Sequence, residues 1–143
     1  MAHTSDRRAG DRAAHEMFGR DTASRALGIE LLEAENGRAV VRMTVTDAMV
    51  NGHALTHGGY IFLLADTAFA FACNTYGQVT VARSADISFV APVREGDQLV
   101  AVARERNRSG RNGIYDVTVR RADGDVVAEF RGHSRELGTR IES

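Results

Sequence analysis

Asp66 stands in the middle of HGGYIFLLADTAFAFACNTYG, residues 57–77, a stretch that is otherwise almost wholly apolar. An ionised carboxylate in such surroundings is costly unless it is paired or put to use. Two roles fit it. Either Asp66 faces an edge, where it caps or pairs with a neighbour, or it points into a cleft as a base or nucleophile. Burial raises the pKa of a carboxyl toward the range a general base needs near neutral pH.

The same stretch opens with His57-Gly58-Gly59. Without side chains, Gly58 and Gly59 let a ligand come close to the backbone. The first N–H groups of a helix have no partner inside it and carry the positive end of its dipole. They suit a carbonyl oxygen that becomes negative during attack. A glycine pair also serves simply as a tight turn. Gly58 and Asp66 lie eight positions apart, roughly 12 Å along a helix at about 1.5 Å per residue. An aspartate side chain is too short to span that gap. A second copy of the helix, running antiparallel, would bring its Asp66 beside the first copy's Gly58. The expectation is a composite site, built across a two-fold axis and present twice per dimer.

The elements that must position these groups follow from periodicity. Residues 8–18 suggest a short amphipathic helix, weakened at its start by Gly10. Leu27 to Glu35 and Arg38 to Thr46 suggest strands joined at Asn36-Gly37, a strong hairpin signal. Asp47 to Thr56 is a loop holding Asn51, Gly52 and His53. Alanines and few β-branched residues predict a helix over 58–76, with Gly77 as its C-cap. Four strands follow: Gln78 to Val90, Asp97 to Arg108, Gly113 to Ala122 and Asp125 to Leu137. A helix apolar on every side must be surrounded. A curved antiparallel sheet of about six strands would cover most of it, and a second subunit the rest. The expected class is α+β, a single domain over residues 1–143 with residues 1–20 as an N-terminal extension.

Composition narrows the function. The 143 residues carry a formal charge of −1, which gives no general attraction to nucleic acid or anionic membrane. The N-terminus lacks the apolar core of a signal peptide, and the longest apolar run is short and contains Asp66. A soluble cytoplasmic protein is expected. The single cysteine, Cys73, lies in the apolar helix and reads as a small buried hydrophobe. The five histidines lack metal-site spacing, so no metal is expected.

Asn51-Gly52-His53, His57-Gly58-Gly59 and Leu64-Ala65-Asp66-Thr67-Ala68-Phe69-Ala70 together resemble the hotdog-fold thioesterases of phenylacetate degradation. These belong to the wider group that includes the 4-hydroxybenzoyl-CoA thioesterases. The resemblance extends over most of the chain, through Ala26-Leu27-Gly28-Ile29, Phe89 with Pro92, Gly113 to Asp116, and Phe130-Arg131-Gly132. It implies hydrolysis of an acyl-CoA thioester to free acid and coenzyme A, with no cofactor, since coenzyme A is part of the substrate. It also implies that Asp66, supplied by the neighbouring subunit, is general base or nucleophile and that Gly58 N–H binds the thioester carbonyl. Asn51 and His57 would orient water, substrate or the glycine turn, Ser84 would assist the aspartate, and dimers would pair into tetramers. Read without the resemblance, Asn51 fits ordinary turn chemistry, His57 a helix-start hydrogen bond, and Ser84 a plain strand hydroxyl.

Gly59, Tyr60, Phe62, Leu63 and Phe69 neighbour the proposed site and are candidates for substrate contact. The phosphates of coenzyme A call for cations. Arg108 and Arg111 are the first candidates, from a set with Arg94, Arg104, Arg106, Arg131 and Arg135. The acyl group implied by the resemblance is phenylacetyl or ring-hydroxylated phenylacetyl. Two other functions compete. An acyl-CoA hydratase or dehydratase would want a catalytic histidine with its helix carboxylate, whereas this helix holds only Asp66. A non-catalytic acyl-CoA sensor would want a further regulatory segment.

Overall fold

A computed structural model describes residues 12–141 of the chain. Helix α1 includes residues 12–20; the expected start of this helix at residues 8–11 lies outside the described residues. A one-turn helix, α2 (Thr22–Ala26), is capped by Asp21. Strands β1 (Glu30–Glu35) and β2 (Arg38–Thr44) form the expected hairpin. Its turn residues Asn36 and Gly37 have φ of 46° and 78°, the double positive φ of a two-residue hairpin turn. A 3-10 turn at Asp47–Met49 and an irregular loop lead to α3 (Gly58–Cys73). Then come β3 (Gln78–Phe89), β4 (Gln98–Ser109), β5 (Asn112–Arg121) and β6 (Val126–Arg140).

The six strands form one antiparallel sheet in the order β1-β2-β4-β5-β6-β3. The sheet curves around α3, which packs mainly on β2, β4 and β5. Alternation sorts the side chains. Leu99, Ala101 and Ala103 of β4, and Tyr115, Val117 and Val119 of β5, are buried toward the helix. Burying each large apolar side chain is worth roughly 1.5–3 kcal/mol, so the helix is held from within the sheet. Among the described residues, no helix is long and apolar enough to cross a membrane.

Helix α3 is shorter than its apolar run suggests, ending at Cys73 and not at residue 76. Asn74 stops it. Its Nδ2 donates to Ala70 O at 2.7 Å and Thr80 O at 3.0 Å, while its Oδ1 accepts Thr80 N–H at 2.8 Å. One side chain thus closes the helix and starts β3. Gly77, with φ of 81°, turns the chain after the helix and is not its cap. At the other boundaries, Leu27 to Ile29 precede β1, and β6 runs past Leu137 to Arg140.

Among the described residues, two surfaces stay uncovered. Along α3, Gly59, Phe62, Leu63, Asp66 and Ala70 retain exposure while the rest of the helix from Leu64 to Cys73 is buried. Their spacing of three and four places them on one stripe. The second surface is edge strand β3, where every residue from Val81 to Asp86 is exposed.

Candidate active site

The chain enters α3 through a loop held by its own side chains. Val50 and Thr56 form an isolated antiparallel bridge, and His57 N–H donates to Met49 O at 2.8 Å. Between them, Asn51 Oδ1 accepts the amides of His53 at 2.8 Å and Leu55 at 3.2 Å. This oxygen lets the loop tolerate Ala54 at φ of 60°. The turn role of Asn51 is therefore real, and it occupies only the carbonyl oxygen. The Nδ2 donors of this exposed side chain have no protein partner among the described residues.

His57 caps α3. Its Nδ1 accepts Gly59 N–H at 3.0 Å, and its carbonyl accepts Tyr60 N–H at 3.0 Å. Because Nδ1 accepts, the neutral ring carries its proton on Nε2, which is left as a donor. A Cβ on Gly59 would come 3.2 Å from His57 Nδ1, so the second glycine makes room for the cap. Gly59 N–H is thus occupied by His57, while the residue itself stays exposed. Gly58 N–H makes no hydrogen bond within the described residues and is the donor left at this helix tip.

Gly58 has a close neighbour that sequence reasoning treated only as a landmark. A Cβ there would lie 2.9 Å from Phe89 Cζ and 3.3 Å from each Cε. The ring therefore meets the glycine tip-on. Nothing in the local pattern announces a contact between residues so far apart in the chain.

Asp66 lies on the uncovered stripe of α3. Burial raises its carboxyl above the ordinary range, and the negative charge of Asp21 adds to that. Asp21 is fixed by Ser24, whose N–H and Oγ donate to it at 3.0 and 2.7 Å. Ser24 Oγ in turn lies 3.0 Å from Thr67 Oγ1. Helix α2 is thus pinned to α3 beside Asp66, a link visible in sequence only as an acidic N-cap.

The other expected site residues divide. Tyr60 is half-buried and edge-on to His57, with centroids 6.3 Å apart. Phe62 keeps some exposure and packs on Phe130 at 5.4 Å. Both keep part of their surface open on α3. Phe69 does not: it is 1% exposed, wedged between Tyr115 and Phe130 and beneath Gly132. It is a core side chain. Ser84 pairs with His133, while its neighbour Ala85 pairs with Gly132, which lies over Phe69. Ser84 therefore faces away from the helix and is not beside Asp66 in its own chain.

Arg108 stacks 3.6 Å over the Tyr76 ring and pairs with Glu136 at 3.2 Å, so its guanidinium is already engaged. Arg111 sits in the β4–β5 turn, with its guanidinium near Gly138 and no carboxylate partner among the described residues. Cys73 is buried, its thiol pushed up to about 12 mainly by burial, which suits a packing role. Among the described residues, no cluster of metal-ligating side chains occurs.

With this geometry in view, comparison with known proteins is informative. Residues 53–128 match the thioesterase superfamily model. The chain is 44% identical over 128 residues to the acyl-coenzyme A thioesterase PaaI of Escherichia coli (strain K12), covering 90% of this chain and 91% of that one. The solved structure of the E. coli PaaI protein from the phenylacetic acid degradation operon superposes with a TM-score of 0.90, over 92% of this chain and 95% of that one. A Streptococcus mutans protein bound to acetyl CoA superposes with a TM-score of 0.75 at 26% identity, over 78% of this chain and 90% of that one.

Proposed function

Because the chain belongs to the thioesterase superfamily, we propose that it hydrolyses an acyl-CoA thioester to the free acid and coenzyme A. One observation carries the reading. The capped tip of α3 leaves Gly58 N–H free, and a carboxyl with raised proton affinity lies on the bare stripe of the same helix. The two are roughly 12 Å apart along the axis, so each completes a site only with the other group from a second copy.

The thioester carbonyl oxygen accepts a hydrogen bond from Gly58 N–H. His57 Nε2–H and Asn51 Nδ2 stand at the same end of the helix as further donors to carbonyl or water. Asp66 of the second subunit acts on the carbonyl carbon in one of two ways. As general base it takes a proton from water, whose oxygen attacks; as nucleophile it attacks directly and forms an acyl-aspartate anhydride that water then cleaves. In both, negative charge gathers on the oxygen held by Gly58, where a fixed donor is most effective. The C–S bond breaks, and the coenzyme A sulfur leaves as thiolate and takes up a proton. A raised pKa makes Asp66 a better proton acceptor than an ordinary carboxylate.

The acyl group in this reading is arylacetyl, phenylacetyl or its ring-hydroxylated form. Support comes from the likeness to the E. coli protein of the phenylacetic acid degradation operon and from the aromatic side chains Tyr60 and Phe62 beside the site. The bare stripe of α3 and the unpaired edge of β3 support a homodimer, and the resemblance extends this to a pair of dimers. The test is thiol release from phenylacetyl-CoA, followed with a thiol reagent. The wild type should release coenzyme A, and Asp66→Asn should nearly abolish release while keeping ester binding. Equal turnover by the variant would overturn the assignment.

A further inference from the structure

Phe89 is a large apolar side chain that stays 52% exposed at the end of β3, yet its position is closely defined. Its register opposite buried Ala128 turns it to the helix side of the sheet. There its tip touches Gly58, closer to the would-be Cβ than any ordinary contact allows. The ring therefore stands beside Gly58 N–H, an amide at the helix tip with no hydrogen bond among the described residues. Further along the same inner face, Ile87 pairs with Phe130, and Phe130 packs edge-on against Phe62.

We propose that Phe89 is a specificity-determining residue of the thioesterase site, forming the apolar wall that receives the acyl group next to the Gly58 amide and favouring acyl groups that end in an aromatic ring. This rests on the reading that Gly58 N–H holds the thioester carbonyl. A carbonyl bound there has two substituents, the polar, amide-bearing pantetheine arm and the apolar acyl chain. The row Phe89, Ile87, Phe130 and Phe62 offers no hydrogen bonds and so suits the acyl side. An aryl ring gains edge or face contact with Phe89 that a straight chain does not.

The contact also gives Gly58 a second reason to be glycine. Gly58→Ala keeps the backbone N–H but drives its Cβ into the ring.

The experiment compares kcat/KM for phenylacetyl-CoA and hexanoyl-CoA in the wild type, Phe89→Ala and Phe89→Tyr. Phe89→Ala should lose about tenfold toward the aryl ester and less than about threefold toward the straight chain. Phe89→Tyr, which keeps an aromatic ring on the same wall, should retain the preference for the aryl ester. Equal losses on both esters in Phe89→Ala, or loss of the aryl preference in Phe89→Tyr, would overturn the proposal. Thermal unfolding of each variant keeps a folding defect from passing as a change in selectivity. Absence of thiol release by the wild type from either ester would remove the thioesterase reading and this proposal together. Release that depends on Asp66, with selectivity unchanged in Phe89→Ala, would remove this proposal alone.

Discussion

His57 Nδ1 accepts the amide of Gly59 at 3.0 Å, and that bond selects Gly58 N–H as the donor left for a ligand. In the proposed site the cap and the carbonyl donor are thus one device. His57→Ala should lower stability by about 1 kcal/mol, the usual cost of a lost N-cap, and lower turnover as well. His57→Asn restores a capping oxygen, so it should recover the unfolding midpoint but not full turnover, because Nε2–H is gone. Denaturant unfolding and thiol release, measured on both variants, check this. Full recovery of turnover by His57→Asn would reduce His57 to a cap.

Asp66 is placed where folding works against its charge. Burial, helped by Asp21, lifts the folded carboxyl above the ordinary 3.8, so the folded chain holds this proton more tightly than the unfolded chain does. The stability from the protonated form is fully present below about pH 3.8 and is lost as pH rises through the folded value. Asp66→Asn, neutral throughout, should therefore unfold at a higher temperature than the wild type at neutral pH, with the gap closing in acid. Its kcat should fall about 10²–10⁴-fold. The acid limb of the wild-type kcat/KM profile should have its midpoint above that of a free aspartate. A variant both less stable at neutral pH and inactive would mean that Asp66 holds the structure together.

Cys73 offers a check on the apolar core. With its thiol pushed up to about 12 by burial, it stays protonated and inert at neutral pH. Native protein should give no reaction with a disulfide thiol reagent, unfolded protein should give one thiol per chain, and Cys73→Ala should keep turnover. Rapid labelling of the native protein would contradict the buried assignment.

The two arginines of the β4–β5 hairpin should separate. Arg108 is committed to Tyr76 and Glu136, so Arg108→Ala should act on the unfolding midpoint. Arg111 has no carboxylate partner among the described residues. Arg111→Ala should raise KM for a coenzyme A ester several-fold, about the effect of one lost phosphate contact, and leave KM for the matching pantetheine ester unchanged. Equal changes with both esters would exclude a phosphate contact.

What the sequence revealed, and what it hid, divides by the range of the interactions. The β1–β2 hairpin was legible because Asn36-Gly37 takes two positive φ angles locally. Helix α3 was legible because its apolar residues run on every side, and Asp66 because a charge stands out there. The end of α3 was not legible, since Asn74 stops it through bonds to Thr80 in the next strand. The face on which Ser84 lies was hidden for a similar reason. Counting by twos from buried Thr80 turns it inward, but the bulge between Ala82 and Ser84 reverses the face. Phe69 looked like a pocket wall because sequence does not distinguish the buried side of an apolar helix from its bare stripe. The contact between Phe89 and Gly58 depends on tertiary placement alone.

The central claim is that Gly58 of one subunit and Asp66 of another form each site. Mixing two variants, each impaired in a different half of the site, tests it most directly. Asp66→Asn subunits retain the helix tip, and subunits carrying both Asn51→Ala and His57→Ala retain Asp66. After unfolding and refolding together in equal amounts, half of randomly paired dimers are mixed, and each mixed dimer holds one intact site. Thiol release should then return to about a quarter of the wild-type rate. No recovery above the sum of the separate variants, in mixtures shown to contain mixed dimers, would mean that each site lies within a single chain.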